Sequence, residues 1–247
     1  MLTRNKSKVK IGIMQPYFFP YIGYFALIKA VDKFVFYDDV AYIKNGWINR
    51  NRIKVGDNVN YITVPVTNAS TNYLINKVRI VNYDNFKSRL FKTLEMNYKK
   101  ASCYTETIGL LTDIFKDNLE YINDLNRKAI SKVAKYLGIG TEIITSSSIK
   151  KNNELRAEAK VIEICKLLRG DFYINAIGGL DLYSNENFQR EGITLKFLRM
   201  NDITYMQGKG DFIPNLSIID VLMWNSKDDV KNMLNNCVLL DGQEGGA

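Results

Sequence analysis

The sequence predicts an α/β protein with a parallel sheet and flanking helices. Two observations support this fold class. Short apolar runs bounded by polar residues alternate with amphipathic segments along most of the 247 residues, and the first forty residues follow the order strand, loop, helix, strand. Such a βαβ unit implies parallel strands and a right-handed crossover, as in Rossmann-like folds. The length suits a single domain, 1–247, with a full core.

The opening βαβ unit is the clearest part of the pattern. Residues 9–14 form an apolar run that predicts a buried strand, which Gln15 and Pro16 end. Residues 22–31 carry apolar side chains at helical spacing. A second apolar run at 34–37 predicts the next strand, bounded by aspartates on both sides.

Helices and strands continue to alternate after this unit. Hydrophobic spacing predicts further strands at 60–66, 77–81, 142–146, 172–176 and 193–198. It predicts further helices at 86–98, 106–115, 119–137, 153–168 and 217–223. Because residues 86–137 are almost wholly helical, they predict a helical lobe inserted in the middle of the chain. The last seven residues, DGQEGGA, are expected to fray.

The composition excludes several kinds of chemistry. The chain has no histidine, so it cannot contain a Ser-His-Asp triad, a Cys-His pair or an imidazole general base. Its net charge of +8 favours anionic partners such as nucleotides and phosphates. Since no run of five basic residues occurs, we expect no nucleic-acid partner.

The three cysteines indicate the compartment. Cys103, Cys165 and Cys237 are scattered, without metal-ligand spacing, so we expect a reducing environment and no metal site. No signal peptide and no apolar stretch long enough to span a membrane are visible, and the sequence predicts a cytoplasmic protein. Cys103 follows two lysines and is either a reactive thiol or an inert, half-buried one.

The loop after the first strand is the first place to expect a ligand. In open parallel sheets, ligands bind beyond the carboxyl ends of the strands. A glycine at the start of the following helix lets a phosphate or ribose approach the backbone amides. The candidate binding residues here are Gln15, Tyr17, Tyr21, Gly23 and Tyr24.

The loop after the second strand contains the candidate catalytic residues. Asp38 and Asp39 are adjacent carboxylates at a strand end, where they can act as a general base, bind a metal or hold a substrate amine. Lys44 follows them in the same loop. Arginines of this loop can grip phosphate in a bidentate manner. The alternative is a structural network of aspartates and arginines. The candidate binding residues of this loop are Trp47, Asn49, Arg50 and Arg52.

A third polar cluster lies late in the chain, at Tyr205, Gln207, Ser217 and Asp220. These residues are candidates for substrate binding. Two of them have a structural alternative, because Ser217 can cap a helix and Asp220 can occupy its favourable first turn. The Gly178-Gly179 pair after a predicted strand is a weaker candidate for a close-approach loop.

These segments together resemble the WbqC-like protein family. The resemblance is carried by MQPYFFPYIGYFALIKAVDKFVFYDDVAYIKNGWINRNRI near the start and by Phe212-x-Pro-x-Leu-Ser-Ile-Ile-Asp-Val-Leu near the end. Val64-Pro65-Val66, Tyr98-Lys99-Lys100, and Tyr205 with Gln207 match as well. Members of this family are often encoded among genes for O-antigen and other surface polysaccharides. The resemblance therefore implies work on nucleotide-activated sugars.

The first βαβ unit also resembles the nucleotidylyltransferase-like fold. In that superfamily an HxGH motif opens the helix and binds nucleotide phosphates. Tyr21-Ile22-Gly23-Tyr24 takes its place here, which keeps the glycine and loses both histidines. The usual histidine mechanism of nucleotidyl transfer is therefore not available to this chain.

Three functional hypotheses follow. The first is a transferase that places an acyl or aminoacyl group on the amine of a nucleotide-linked amino sugar, with an activated donor such as a carrier-protein thioester. The second is an activating or nucleotidyl transferase that uses a nucleoside triphosphate. The third is a non-catalytic scaffold of a polysaccharide assembly complex. The sequence requires no cofactor for any of them.

Overall fold

A computed structural model describes residues 8–67 and 69–242 of the chain. The strands are β1 (Lys10–Met14), β2 (Lys33–Phe36), β3 (Arg50–Val55), β4 (Asn58–Thr63), β5 (Val66–Thr67), β6 (Arg79–Ile80), β7 (Glu142–Thr145), β8 (Phe172–Ala176), β9 (Thr194–Met200) and β10 (Cys237–Asp241). The α-helices are α1 (Ile22–Ala30), α2 (Tyr83–Tyr98), α3 (Tyr104–Ile114), α4 (Ile122–Tyr136), α5 (Ala157–Leu167), α6 (Asn185–Arg190), α7 (Ile218–Trp224) and α8 (Lys227–Met233).

Six strands form the central sheet in the order β10-β9-β8-β1-β2-β7. The strands are parallel except β10, which runs antiparallel to β9 at one edge. Strands β3 and β4 form a separate antiparallel hairpin, and β5 pairs with β6. The predicted α/β class and the opening βαβ unit are confirmed, because β1 and β2 are parallel neighbours joined by α1.

The connections change direction between β1 and β8. The chain leaves β1 towards β2 on one side of the sheet, whereas it leaves β8 towards β9 on the other side. Because these two connections diverge, a crevice opens beyond the carboxyl ends of β1 and β8. In open α/β sheets this topological switch point is where ligands bind.

Alternating side chains along each strand feed two hydrophobic clusters. On β2, Phe34 and Phe36 belong to one cluster and Val35 to the other, as the two-residue period of a strand requires. Leu90 of α2 and Ile130 of α4 lie in the same cluster as Phe34. These helices therefore share a core with the sheet, and a separate lobe at 86–137 is not confirmed.

Four elements were not expected from the sequence. Strand β3 begins inside the region predicted as loop, and β10 and the short helices α6 and α8 follow no clear apolar period. Asp241, in the segment expected to fray, belongs to β10 and pairs with Lys196 of β9. Residues 243–247 lie outside the described part of the chain. Within that part, no helix has the length and apolarity needed to cross a membrane.

Candidate functional site

A cavity of about 1110 Å³ lies at the switch point. The ends of β1 and β8 form its floor, and segments that follow β2 and β9 contribute to its walls. The β3 strand and the turn before it close one side through Trp47 and Arg52. The cavity is thus located where the topology predicts a ligand site.

Several polar groups that line the cavity have no hydrogen-bond partner among the described residues. Gln15 Oε1 is buried and accepts no hydrogen bond from any described residue. Tyr17, Tyr21 and Tyr37 line the cavity, and within residues 8–67 and 69–242 their hydroxyls make no hydrogen bond to protein. We call Gln15, Tyr17, Tyr21 and Tyr37 the cavity wall. Buried polar groups are normally paired, so unpaired ones that face a cavity are available to a ligand.

The tyrosines of the cavity wall are hydrogen-bond donors at neutral pH. Burial raises the pKa of Tyr17, of Tyr21 and of Tyr37 above the ordinary value for a phenol. The carboxylate of Asp39 raises the pKa of Tyr37 further. Each hydroxyl therefore keeps its proton, so the wall offers uncharged donors beside the free acceptor of Gln15.

Arg52 is the cationic residue on the cavity lining. It is half-buried, its Nη2 donates to the Asn215 carbonyl at 3.2 Å, and its guanidinium lies 5.3 Å from the centre of the Trp47 ring. Its Nε is buried without a partner, and it forms no ion pair with any described carboxylate. The exposed Asp202 is the carboxylate on the lining. The positive charge of Arg52 is therefore available to an anionic group.

The first predicted loop splits into cavity and packing residues. Tyr24 is buried, and its hydroxyl donates to the Gln15 carbonyl at 2.9 Å, which fixes the backbone at the end of β1. A Cβ added to Gly23 would lie 2.4 Å from the Tyr21 ring. Gly23 therefore allows Tyr21 to pack directly on the first turn of α1.

The predicted catalytic carboxylates lie away from the cavity. Asp38 is 1% exposed and accepts hydrogen bonds from the Ser147 amide at 2.9 Å and the Ser147 hydroxyl at 2.7 Å. Asn76 donates to it at 3.3 Å. These contacts tie the end of β2 to the segment that follows β7. Lys44 is exposed on the turn that precedes β3 and does not line the cavity.

Asp39 forms a buried ion-pair network. Its Oδ2 lies 2.7 Å from Lys151 Nζ and 3.1 Å from Lys160 Nζ, and both lysine side chains are almost fully buried. Burial on its own would raise the pKa of Asp39, but the two ammonium groups outweigh it and lower the pKa. The contacts of Asp39 therefore resemble the structural alternative, with lysines in place of the expected arginines, whereas Asp38 contacts Ser147 and Asn76.

The late cluster is also mostly internal. Asp220 is fully buried and accepts hydrogen bonds from Tyr98 at 2.6 Å, Tyr205 at 2.7 Å and Gln207 at 3.0 Å. We call these four residues the Asp220 cluster. Burial raises the pKa of Asp220. Ser217 caps α7 by accepting from the Ile219 amide at 3.3 Å, as its structural alternative states.

Two further candidates have structural partners. Asn49 donates to the Val64 carbonyl and accepts from the Tyr42 hydroxyl. Arg50 donates to the carbonyls of Asn45 and Gly46, which holds the turn before β3. Six predicted binding residues line the cavity together: Gln15, Tyr17, Tyr21, Trp47, Arg52 and Tyr205.

Sequence reasoning missed several lining residues. Tyr37 directly follows β2, and the sequence pattern assigns it to the apolar run at 34–37. Asn175 and Tyr183 flank the Gly178-Gly179 pair, and a Cβ at Gly179 would lie 2.3 Å from the Asn175 amide nitrogen. The glycine pair was the feature of the sequence that could have indicated this side of the cavity.

A family comparison matches a region that contains all the residues lining the cavity except Ile13 and Met14 of β1. The model of the WbqC-like protein family matches residues 15–232. The chain belongs to this family. A relative from Mycobacterium tuberculosis (strain ATCC 25618 / H37Rv), "Uncharacterized protein Rv1507c", is 27% identical over 230 residues, which cover 92% of this chain and 98% of the relative. No solved structure matches the chain.

Proposed function

We propose that this member of the WbqC-like family is a transferase of bacterial surface polysaccharide biosynthesis. In this proposal it places an acyl or aminoacyl group on the amine of a nucleotide-linked amino sugar. One observation carries the proposal: the switch-point cavity combines uncharged, unpartnered hydrogen-bonding groups with one unpaired arginine. Such a cavity suits a ligand that is polar and neutral in one part and anionic in another.

The cavity wall supports binding of the sugar. Phenol hydroxyls and an amide oxygen match sugar hydroxyls as donors and acceptors, and tyrosine rings offer apolar surface to the faces of a pyranose. Specificity comes from a few polar groups placed in a largely aromatic lining. Gln15 Oε1 is well suited to accept from a hydroxyl or from the sugar amine.

Arg52 supports binding of the phosphates. Guanidinium groups bind phosphate through charge-assisted, frequently bidentate hydrogen bonds. The Nε of Arg52 is free, while the bond from its Nη2 to Asn215 holds the side chain in place. The net charge of +8 adds a general attraction for anionic ligands.

The chemistry requires little from the protein beyond positioning. The neutral amine attacks the carbonyl carbon of an activated donor such as a thioester. A C–N bond forms, the C–S bond breaks, and the departing thiol takes up the proton that the amine loses. Neutral tyrosine hydroxyls of the cavity wall can stabilise the charge on the carbonyl oxygen. Asp202 lies on the cavity lining and takes the general-base role that the sequence suggested for Asp38 and Asp39. It can accept the proton of the amine and pass it to the departing thiol.

The compartment and the biosynthetic role also belong to the proposal. The resemblance to proteins encoded near surface polysaccharide genes supports the choice of nucleotide sugar. Cys103, Cys165 and Cys237 are free thiols, which fits a reducing cytoplasm. We expect the protein to act there on soluble nucleotide sugars.

The first experiment is a calorimetric titration with a panel of nucleotide-linked amino sugars and their hydroxyl counterparts. We expect at least one amino sugar to bind, and Gln15→Ala to weaken it about tenfold because a buried hydrogen bond is lost. Gln189→Ala, an exposed glutamine on α6, is the matched control and should bind normally. Incubation with acyl thioesters should then give an N-acylated sugar by mass spectrometry.

Absence of binding across the panel would contradict the proposal. Binding without acylation by any thioester, aminoacyl donor or loaded carrier protein would support the proposed ligand but contradict the proposed acyl transfer.

A further inference from the structure

Four side chains form a continuous surface on the β3–β4 hairpin and the turn before it. Trp47 and Tyr61 lie with ring centres 6.4 Å apart and planes 25° apart. The Arg52 guanidinium lies 5.3 Å from the Trp47 ring centre, and the Arg50 guanidinium 4.6 Å from the Tyr61 ring centre. We call Trp47, Arg50, Arg52 and Tyr61 the hairpin platform.

Strand geometry explains why these residues share a face. Arg52 pairs directly with Tyr61 across the hairpin, so their side chains lie side by side. Arg50 is two residues before Arg52 and therefore points to the same face. Trp47 reaches this face from the turn, which Arg50 holds through the carbonyls of Asn45 and Gly46.

The two rings of the hairpin platform are exposed, and its half-buried arginines have no carboxylate partner among the described residues. Trp47 is 38% exposed and Tyr61 is 51% exposed, although large aromatic rings are usually more buried. In the described part of the chain, neither Arg50 nor Arg52 forms an ion pair. Two exposed rings beside two arginines that lack an ion-pair partner among the described residues favour a ligand that is both planar and anionic.

A third arginine–aromatic pair, outside the hairpin platform, differs in its charge balance. The Arg79 guanidinium lies 5.6 Å from the Tyr121 ring centre, and Arg79 forms an ion pair with Glu120. Its charge is thus satisfied within the protein. The pair also lies outside the cavity lining. It is a natural control for the hairpin platform.

The hairpin platform continues outward from the cavity. Trp47 and Arg52 belong to the cavity lining, whereas Arg50 and Tyr61 lie beyond it. A ligand that enters the cavity with its sugar would leave its other end on this surface.

We propose that the hairpin platform binds the nucleoside diphosphate part of the substrate, with the base on Trp47 and Tyr61 and the phosphates between Arg50 and Arg52. This rests on the proposed function, which supplies the sugar end of the ligand. Aromatic side chains stack on any base, and arginines contribute both charge and stacking. The proposal gives Tyr61 a binding role and gives Arg50 a second role besides holding the turn.

The test uses the diphosphates of uridine, thymidine, guanosine and cytidine, without any sugar. Calorimetry on the full-length protein should show binding of at least one of them. Tyr61→Ala should weaken that binding about tenfold, whereas Tyr61→Phe should retain it because the ring remains. Tyr73→Ala, an exposed tyrosine outside the hairpin platform, and Arg79→Ala should bind as the wild type does.

The phosphate part of the proposal has its own readout. The unphosphorylated nucleoside should bind more weakly than the diphosphate, and added salt should reduce that difference. Arg50→Ala should reduce it as well.

Each outcome separates this inference from the proposed function. If a diphosphate binds and Tyr61→Ala behaves like Tyr73→Ala, the hairpin platform is not the nucleotide site, while the proposed function stands. If none of the four diphosphates binds, the inference is overturned. The titration with nucleotide-linked amino sugars then decides the proposed function independently.

Discussion

The Asp220 cluster and the cavity wall use similar side chains in opposite ways. In the Asp220 cluster, the hydroxyls of Tyr98 and Tyr205 both donate to one buried carboxylate. In the cavity wall, Tyr37 and its neighbours have no protein partner within the described residues. Polar groups that are hydrogen-bonded within the fold stabilise it, whereas those without a partner among the described residues can bind a ligand. The residue type alone does not separate the two sets.

The carboxylates follow the same division. Asp39 is held by two buried lysines, whereas Asp202 is exposed on the cavity lining. A charge that is already neutralised inside the fold has little to offer a substrate. Removal of the Asp39 carboxylate should therefore lower the stability of the fold and not ligand binding.

The largest expected effect is on the buried ion-pair network. Asp39→Ala leaves Lys151 and Lys160 buried without their carboxylate, which should lower the free energy of unfolding by about 3–5 kcal/mol. Urea denaturation measures this change. Asp228→Ala, which removes an exposed carboxylate paired with Lys231, is the control and should change stability little. A loss no larger than the control's would show that the network is not stabilising.

The same network predicts a pH dependence. Because the pKa of Asp39 is lowered in the folded protein, its contribution to stability is present above the ordinary carboxyl pKa. It is lost as the pH falls through the lowered folded-state value, below about pH 4. Urea denaturation of Asp39→Asn across this range should show a flatter acid profile than the wild type. An identical slope would contradict the lowered pKa.

A smaller effect compares the two tyrosine sets directly. Tyr98→Phe removes a hydroxyl that donates to buried Asp220 and accepts from the Lys54 amide, so it should cost about 1–3 kcal/mol. Tyr37→Phe removes a hydroxyl that has no partner in the described part of the chain, and it should change stability by less than about 0.5 kcal/mol. Thermal and urea unfolding of both variants provide the comparison. Equal losses would contradict the division between the two sets.

A modest change in stability, accompanied by a change in binding, is expected at Gly23. In Gly23→Ala the new methyl group meets the outer end of the Tyr21 ring, which can swing away at a cost of about 1 kcal/mol. The displaced ring should weaken ligand binding more than it weakens the fold. Paired unfolding and binding measurements test this, and unchanged binding would show that Tyr21 takes no part in the site.

The strands and helices of the central sheet could be predicted from the sequence better than the residues of the site. Apolar runs such as 34–37 specify buried strands through local periodicity, so β1, α1 and β2 were predictable. Strand β3 was not, because its sequence RNRIKV is polar and its pairing with β4 is decided by tertiary contacts.

The site was only partly predictable for a related reason. Gln15 and Tyr21 follow β1 closely, so their place at the carboxyl edge followed from the topology. The partners of Asp39 could not be found in this way, since Lys151 and Lys160 are more than a hundred residues away in the chain. Hydrogen-bond satisfaction depends on such distant contacts.

The most direct test of the account is the affinity of Tyr37→Phe for the nucleotide-linked amino sugar that the wild type binds best. Tyr37 lines the cavity, and its hydroxyl has no partner within residues 8–67 and 69–242, so the account predicts binding about three- to tenfold weaker, with an unchanged free energy of unfolding. Wild-type affinity, or a loss of stability as large as that of Tyr98→Phe, would contradict the claim that the unpartnered groups of the cavity wall bind the substrate.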